Sequence, residues 1–132
     1  DDAILTAKIH FDVHDVSGYI LEWVKGVVDV PYRCLLPRGL ENLLVVGRCM
    51  STDHIANSTT RLQEIAYRTG QAGGTAAALA ALQNISPRAL PFSQLQNALH
   101  EDGFVTSQAQ RYQREKIIAQ RSREERMQSA RS

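Results

Sequence analysis

The stretch that decides the fold is NLLVVGRCMSTDHIANSTTRLQEIAYRTGQAGGTAAALAAL, residues 42–82. It opens with a compact apolar run over 42–46, a pattern typical of a strand buried on both faces in a parallel sheet. The polar residues 48–60 show no clear period and predict a loop, and so long a loop is often functional. Small and apolar residues then repeat at helical spacing and predict one helix from Gln63 to Leu82, about 30 Å long. Strand, loop and helix together predict a βα unit.

Three glycines lie inside the predicted helix, at positions 70, 73 and 74. Each costs about 1 kcal/mol relative to alanine in a helix interior, so we expect another segment, most simply another backbone, to pack closely on this face. They do not form a phosphate loop, because the chain has no GxGxxG or GxxxxGK[ST] sequence. The predicted ligand edge therefore lies elsewhere in the stretch.

That edge comprises Gly47 and the start of the helix near Gln63. A glycine at the carboxyl end of a strand allows close backbone approach to a ligand, although it can equally be a simple strand terminator. The first turn of a helix presents unpaired N–H groups and a partial positive charge, which favour a phosphate, a carboxylate or an electron-rich ring oxygen.

The residues on either side of this stretch are less regular. Those before it predict four short strands, over 7–14, 19–24, 26–30 and 32–36. After a break at 84–91, a short amphipathic helix is predicted over 93–99, with Ser93 as its N-cap and Gly103 as its stop. Residues 108–132 are polar, with seven basic and three acidic side chains, and predict a solvated helix, a docking arm or a frayed tail.

Composition excludes several classes of function. The 132 residues suffice for one modest domain, and a net charge of +1 argues against strong attraction to nucleic acid or to acidic membranes. No apolar run approaches the roughly 20 residues of a membrane-spanning helix. Two cysteines without CxxC spacing predict free thiols, a reducing cytoplasmic compartment and no metal site.

Two segments resemble a known family: PYRCLLPRGLENLLVVGRC, residues 31–49, and TGQAGGTAAALA, residues 69–80. They resemble the C-terminal signature of FAD-dependent oxidoreductases of the glutathione-reductase-like superfamily, nearest to the fumarate-reductase-like branch. FDVHD, residues 11–15, is similar to an Asp-X-His segment of that branch, and the likeness covers about residues 4–105.

The resemblance implies an α/β fold that is the C-terminal portion of a Rossmann-like FAD-binding domain. It divides the chain into a β-rich part of a substrate or cap domain (1–36), the end of the FAD-binding domain (37–85) and a helical C-terminal extension (86–132). The residues that it assigns to the flavin ribityl and pyrophosphate groups, and to the pyrimidine edge, are Gly47, Arg48, Arg61, Leu62, Gln63, Glu64 and Ile65. Glu64 stands where relatives often have proline, and we expect its carboxylate to point away from the flavin.

His54 and Arg61 are the candidates for the substrate side, where the resemblance implies a clamp on a substrate carboxylate. Arginine suits bidentate carboxylate recognition. The alternative is a solvated histidine and an arginine that fixes the loop. His14 is open to the same two interpretations, as a ligand or as a structural strand histidine. Cys49 is expected to be a small buried residue rather than a redox group.

The resemblance also implies a dinucleotide fingerprint, which this chain lacks. The chain is therefore expected to be a C-terminal fragment or subunit of an FAD-dependent oxidoreductase that does not hold FAD tightly alone. One expected partner is an N-terminal region or another chain that supplies GxGxxG. The other is a small-molecule substrate, and a homo-oligomer is left open. The alternative is a non-enzymatic helical interaction module with a basic docking tail. A nucleic-acid-binding tail is disfavoured because Tyr112 is its lone aromatic residue.

Overall fold

The computed structural model describes residues 2–7, 10–23, 27–104, 116–118, 120–122 and 126–128. Within them the chain combines helices with small antiparallel sheets, an architecture compatible with the predicted α/β class. The strands are β1 (Ala3–Ala7), β2 (His10–Asp15), β3 (Gly18–Trp23) and β4 (Val28–Pro31). The helices are α1 (His54–Thr60), α2 (Gln63–Leu82) and α3 (Phe92–Glu101), and short 3-10 turns cover Tyr32–Leu35, Gly47–Cys49 and Pro87–Ala89.

The N-terminal third forms two separate strand pairs. β1 pairs antiparallel with β4, and β2 pairs antiparallel with β3 through a tight hairpin that joins Asp15 to Gly18. The β-rich start is thus confirmed, with β1 as a strand that the sequence pattern did not reveal. Of the predicted first, second and third strands, residues 8, 9, 24 and 26 lie outside the described part of the chain.

The fourth predicted strand, over 32–36, is wrong, because residues 32–35 form a 3-10 turn. Tyr32 and Leu35 are both buried in the same core. A strand would turn these two side chains to opposite faces, whereas the three-residue period of a 3-10 turn brings them together. The hydroxyl of Tyr32 donates to the carbonyl oxygen of Pro87 at 2.8 Å, and burial raises the pKa of this phenol above its ordinary value.

Helix α2 is the central element, and its predicted bounds are confirmed at both ends. It contacts β1, α1, α3 and the turns at 47–49 and 87–89. Its C-terminus closes with Asn84 in the left-handed region at φ +52°, and the N–H of Ile85 bonds back to the carbonyl of Ala80 at 3.0 Å. This is a Schellman motif, which satisfies the last carbonyls of the helix. The buried face of α2 consists of Ile65, Thr69, Ala72, Gly73, Ala76 and Ala80.

The predicted buried strand over 42–46 is wrong. These residues carry no strand assignment, and the backbone hydrogen bond that ties them to another described segment runs from the N–H of Val45 to the carbonyl of Leu35, at 2.9 Å. Asn42 and Leu43 are exposed. A strand buried on both faces needs paired neighbours, and no strand of the described residues lies beside this run.

Close packing on the glycines of α2 is confirmed at one position of three. A Cβ atom at Gly73 would lie 2.4 Å from Cγ1 of Val46, far inside contact distance. Positions 70 and 74 have nothing within 4 Å of the corresponding point. The segment that packs on Gly73 does so through a valine side chain and not through its backbone, so that part of the expectation is wrong.

Helix α3 is longer than predicted and begins after Pro91, so Ser93 lies inside the helix and is not its N-cap. Gly103 ends it as predicted, with φ +79°. The N–H groups of Gly103 and Phe104 bond back to the carbonyls of His100 and Leu99, at 2.9 and 2.8 Å. A second Schellman motif therefore returns Phe104 to the core.

One hydrophobic cluster unites the described body of the chain. It joins Ile4, Leu5 and Val30 of the first strand pair to Leu95 and Leu99 of α3. The division into three parts at residues 36 and 85 stays a prediction. In the predicted tail, the described residues 116–118, 120–122 and 126–128 are helical and mostly exposed, and the rest of that tail lies outside the described residues.

Candidate functional site

Residues 54–60 form helix α1, so the prediction of a loop over 48–60 is wrong. Asp53 caps the helix, because its Oδ1 accepts from the N–H of Ala56 at 2.7 Å. The helical path gives positions 54, 57, 58 and 61 the spacing i, i+3, i+4 and i+7, which places their side chains on one face. These residues are His54, Asn57, Ser58 and Arg61.

This polar face and strand β2 line an open cleft of about 200 Å³. Its lining consists of Val13, His14, His54, Asn57, Ser58 and Arg61. The structure thus brings together His54 and Arg61, the two predicted substrate-side residues, and adds His14 from a different element. Sequence reasoning missed Asn57 and Ser58, although the helical spacing and the Asp53 cap were signals that could have found them.

Gly47 begins the short turn that precedes this helix and lies against α2. Its φ of +64° is in the left-handed region, which L side chains rarely adopt. Its N–H donates to Oγ1 of the fully buried Thr69 at 3.0 Å, and that hydroxyl in turn donates to the carbonyl of Ala66 at 3.0 Å. A Cβ at Gly47 would face Ala66 at ordinary contact distance. The structure therefore explains glycine at position 47 by its backbone angle and not by a need for space beside a ligand.

The side chain of Arg48 contacts the backbone of Arg61. Nε of Arg48 donates to the carbonyl oxygen of Arg61 at 3.1 Å. The N–H of Arg61 donates to the carbonyl of Asn57 at 3.1 Å. This bond holds the Arg61 backbone, and with it the carbonyl that accepts from Arg48, in place at the end of α1. The Gly47-Arg48 turn is thereby tied to the junction between α1 and α2.

The N-terminus of α2 lies directly after this junction and has no side-chain cap. Leu62 occupies the N-cap position and offers no acceptor. The first N–H with a backbone acceptor is that of Ala66, which bonds to Leu62 at 2.9 Å. The three preceding N–H groups have no acceptor among the described residues; they belong to Gln63, Glu64 and Ile65. Three converging donors and the partial positive charge of the helix end meet at one point.

The side chains of this first turn take separate directions. Ile65 is 1% exposed and belongs to the core, so only its backbone can contribute to a site. Gln63 and Glu64 are exposed, and Oε1 of Glu64 lies 3.5 Å from Nη1 of Arg68 one turn along the helix. This ion pair gives the Glu64 carboxylate a partner on the helix surface.

Cys49 is exposed, as is Cys34, so the expectation that Cys49 is buried is wrong. Both thiols are free, as predicted. Among the residues with described positions, no group of three or more His, Cys, Asp or Glu side chains could hold a metal ion. None of the helices in the described ranges has the length and apolar character to cross a bilayer.

The family model described as FAD dependent oxidoreductase matches residues 1–99. The matched region contains both the cleft and the N-terminus of α2, and it ends within α3. Searches of curated proteins and of solved structures gave no match.

Proposed function

Because this chain belongs to the FAD-dependent oxidoreductases, we propose that it forms one wall of the flavin site, against the ribityl chain and the pyrimidine edge. The observation that carries this proposal is the uncapped N-terminus of α2, where three backbone N–H groups have no acceptor among the described residues. FAD is the cofactor of the family, and when bound it supplies hydride transfer. The residues present fit an electron-rich ligand at this helix end.

Each part of the wall has a defined role. The amides of residues 63–65 would donate to the pyrimidine edge, where negative charge gathers on a reduced flavin. Arg48 keeps its orientation through the carbonyl of Arg61, while its remaining guanidinium N–H groups have no acceptor in the described part of the chain and suit a phosphate oxygen. Gly47 shapes the turn and contributes no donor, since its N–H is bonded to Thr69.

The substrate side follows from the same junction. The backbone of Arg61 belongs to the wall and its side chain lines the cleft with His54. We assign these two side chains to substrate binding, with the Arg61 guanidinium on a carboxylate. A ligand in this cleft would therefore lie beside the cofactor wall.

The other half of FAD requires a phosphate-binding glycine loop, and GxGxxG is absent from these 132 residues. We therefore propose that the chain acts as the C-terminal part of a Rossmann-like, fumarate-reductase-like flavoenzyme, together with a region or chain that supplies this loop. The two exposed free thiols support a reducing compartment, for which we propose the cytoplasm.

The test is a titration of the 132-residue chain followed by amide NMR. FMN carries the isoalloxazine and ribityl groups without the adenosine half, and AMP carries only the adenosine half. We expect FMN to bind weakly and to shift the amide signals of residues 47, 48 and 63–65, with AMP silent. Arg48→Gln should weaken FMN binding several-fold, and Arg88→Gln, an exposed arginine in the turn at 87–89, should not.

Two outcomes would contradict the proposal. FMN shifts that avoid the start of α2 would remove the wall from the site. Stoichiometric flavin colour in the purified chain would show that it holds FAD without a second dinucleotide-binding region.

A further inference from the structure

The proposed flavin wall consists of two backbone segments that are separated in sequence. One is the turn Gly47–Cys49, which carries Arg48, and the other is the first turn of α2, with the amides of residues 63–65. The two segments lie against each other, because a Cβ at Gly47 would be 3.8 Å from the carbonyl oxygen of Ala66 and 3.9 Å from its Cβ. One ligand can bind to both segments only if their relative position is fixed.

One buried hydroxyl joins the two segments. Oγ1 of Thr69 accepts from the N–H of Gly47 at 3.0 Å and donates to the carbonyl oxygen of Ala66 at 3.0 Å. Thr69 has no exposed surface, so water has little access to this hydroxyl. A hydroxyl has one proton and two lone pairs. The proton of Thr69 goes to the first turns of α2 and a lone pair goes to the glycine turn, so a single atom holds both sides.

The glycine turn has few other polar restraints. It has no side-chain cap, and its own closing hydrogen bond runs from the N–H of Met50 to the carbonyl of Gly47 at 3.3 Å. The bond from Nε of Arg48 to the carbonyl of Arg61 is exposed, where water competes for both groups. Of the hydrogen bonds that tie this turn to other described segments, the one to Thr69 therefore has the acceptor that is best shielded from solvent.

Threonine suits this position better than a residue of the same shape or a smaller hydroxyl residue. In a helix the χ1 angle of threonine divides between two rotamers because Oγ1 can bond to the carbonyl three or four residues before it. The bond to Ala66 selects one orientation of the hydroxyl, which is the orientation that accepts from Gly47. Valine keeps the shape and loses the hydroxyl, whereas serine keeps the hydroxyl and loses the methyl group.

We propose that Thr69 is a positioning residue of the flavin wall. Its hydroxyl sets the turn that carries Arg48 against the first turn of α2, so that the guanidinium and the three backbone amides face the same ligand. Thr69 is fully buried, so it acts through Arg48 and does not touch the ligand itself. This proposal rests on the proposed function, since the wall is defined there.

The experiment compares Thr69→Val and Thr69→Ser with the parent chain by FMN titration and amide NMR. Thr69→Val should weaken FMN binding several-fold, and its FMN-induced shifts should shrink more at residues 47 and 48 than at residues 63–65. A loss of stability alone would reduce the shifts at all five positions alike. Thr69→Ser should bind FMN within about twofold of the parent, because it keeps the hydroxyl.

Thr75→Val is the matched control. It makes the same change on the same helix, at a half-buried threonine that has no hydrogen bond to the glycine turn in the described part of the chain. This variant should leave FMN affinity unchanged. An equal loss of affinity in Thr75→Val and Thr69→Val would show that the effect belongs to the helix and not to the bridging hydroxyl.

A double variant tests whether Thr69 acts through Arg48. Combined with Thr69→Val, Arg48→Gln should weaken FMN binding little further than the stronger of the two single variants does, because a misplaced guanidinium has already lost its contact. Fully additive losses would overturn this route.

Hydrogen exchange without flavin separates this proposal from the proposed function. The Gly47 amide should exchange about tenfold faster in Thr69→Val than in the parent or in Thr69→Ser, as expected for the loss of one hydrogen bond. Amides in the centre of α2 should keep their protection. FMN binding by the parent, with unchanged Gly47 exchange or unchanged FMN affinity in Thr69→Val, would overturn the role of Thr69 alone. An absence of FMN shifts in the parent would refute the proposed function and, with it, this role.

Discussion

Replacing Gly73 by alanine should destabilise the chain, although alanine is the better helix former. The added Cβ would lie 2.4 Å from Cγ1 of Val46, where ordinary contact begins at 3.4 Å, so one of the two must move by about 1 Å. Val46 is β-branched and stiff at χ1, and it precedes the left-handed Gly47 whose N–H is bonded to Thr69. The valine can therefore relieve the contact only by an unfavourable χ1 rotation or by moving the turn.

The magnitude follows from two opposing terms. Alanine gains about 1 kcal/mol over glycine in a helix interior, and overpacking costs about 1–3 kcal/mol. Gly73→Ala should thus range from neutral to about 2 kcal/mol less stable. Gly74→Ala is the matched control one residue along the same helix, with open space at its Cβ position, and should gain up to about 1 kcal/mol. The two variants should differ by about 1–3 kcal/mol.

Urea unfolding followed by circular dichroism measures this difference as a shift in midpoint at constant slope. A double-mutant cycle with Val46→Ala tests whether this difference arises from the contact with Val46. Shortening Val46 should remove most of the penalty of Gly73→Ala and give a coupling of about 1 kcal/mol or more. Equal stability of the Gly73→Ala and Gly74→Ala variants would refute the contact. Zero coupling would show that the penalty arises elsewhere.

Two further substitutions test single hydrogen bonds. Thr69→Val should cost about 1–3 kcal/mol in urea unfolding, because the N–H of Gly47 loses its acceptor, and Thr69→Ser should recover most of it; equal loss in both variants would point to packing instead. Tyr32→Phe should cost about 1 kcal/mol through the bond to Pro87, and should change the alkaline pH dependence. Since burial raises the folded-state pKa above 10.0, the phenol's contribution is complete below pH 10.0 and is lost as the pH rises through the folded value. Unfolding free energies measured across this range should fall more steeply for the parent than for Tyr32→Phe, and parallel curves would refute the assignment.

Helix α2 was predictable because its signal is local and long. Twenty residues of consistent spacing fix both the element and its buried face, and its polar C-terminal boundary agrees with Asn84 in the left-handed region. The flavin-family resemblance likewise depended on this stretch and its immediate surroundings, and the family match confirms it at the level of FAD-dependent oxidoreductases. Which residues touch FAD stays a prediction, since the family match concerns the chain as a whole.

The sequence predictions for residues 42–46 and for helix α1 failed for opposite reasons. Four consecutive apolar residues predict burial, but a strand also needs a paired partner, and the described chain places Val46 against Gly73 of a helix instead. Helix α1 has only seven residues, and its periodic face is polar. A search for apolar period therefore could not find it, whereas the Asp53 cap and the spacing from His54 to Arg61 could.

The cleft shows where sequence reasoning stops. His54 and Arg61 share a helical face and could be paired by spacing alone. His14 comes from a hairpin some forty residues earlier, and nothing local states that β2 packs on α1. Long-range packing of this kind depends on the whole core, so the second element of the cleft becomes visible only in the folded chain.

The core and the candidate cofactor wall share one helix, and this constrains how the site can change. The buried face of α2 meets β1 and α3, and in its uncapped first turn Ile65 belongs to that core while Gln63 and Glu64 are exposed. Between them, Val46 packs on Gly73 and is followed by Gly47, which is bonded to Thr69, and by Arg48, which is bonded to the carbonyl of Arg61. We therefore expect a volume change at Gly73 to reach Arg48 through the backbone of residues 46–48, whereas the Cβ positions of Gly70 and Gly74 have nothing within 4 Å. Of the three glycines of α2, Gly73 is therefore the one that packs on the segment leading to the proposed wall.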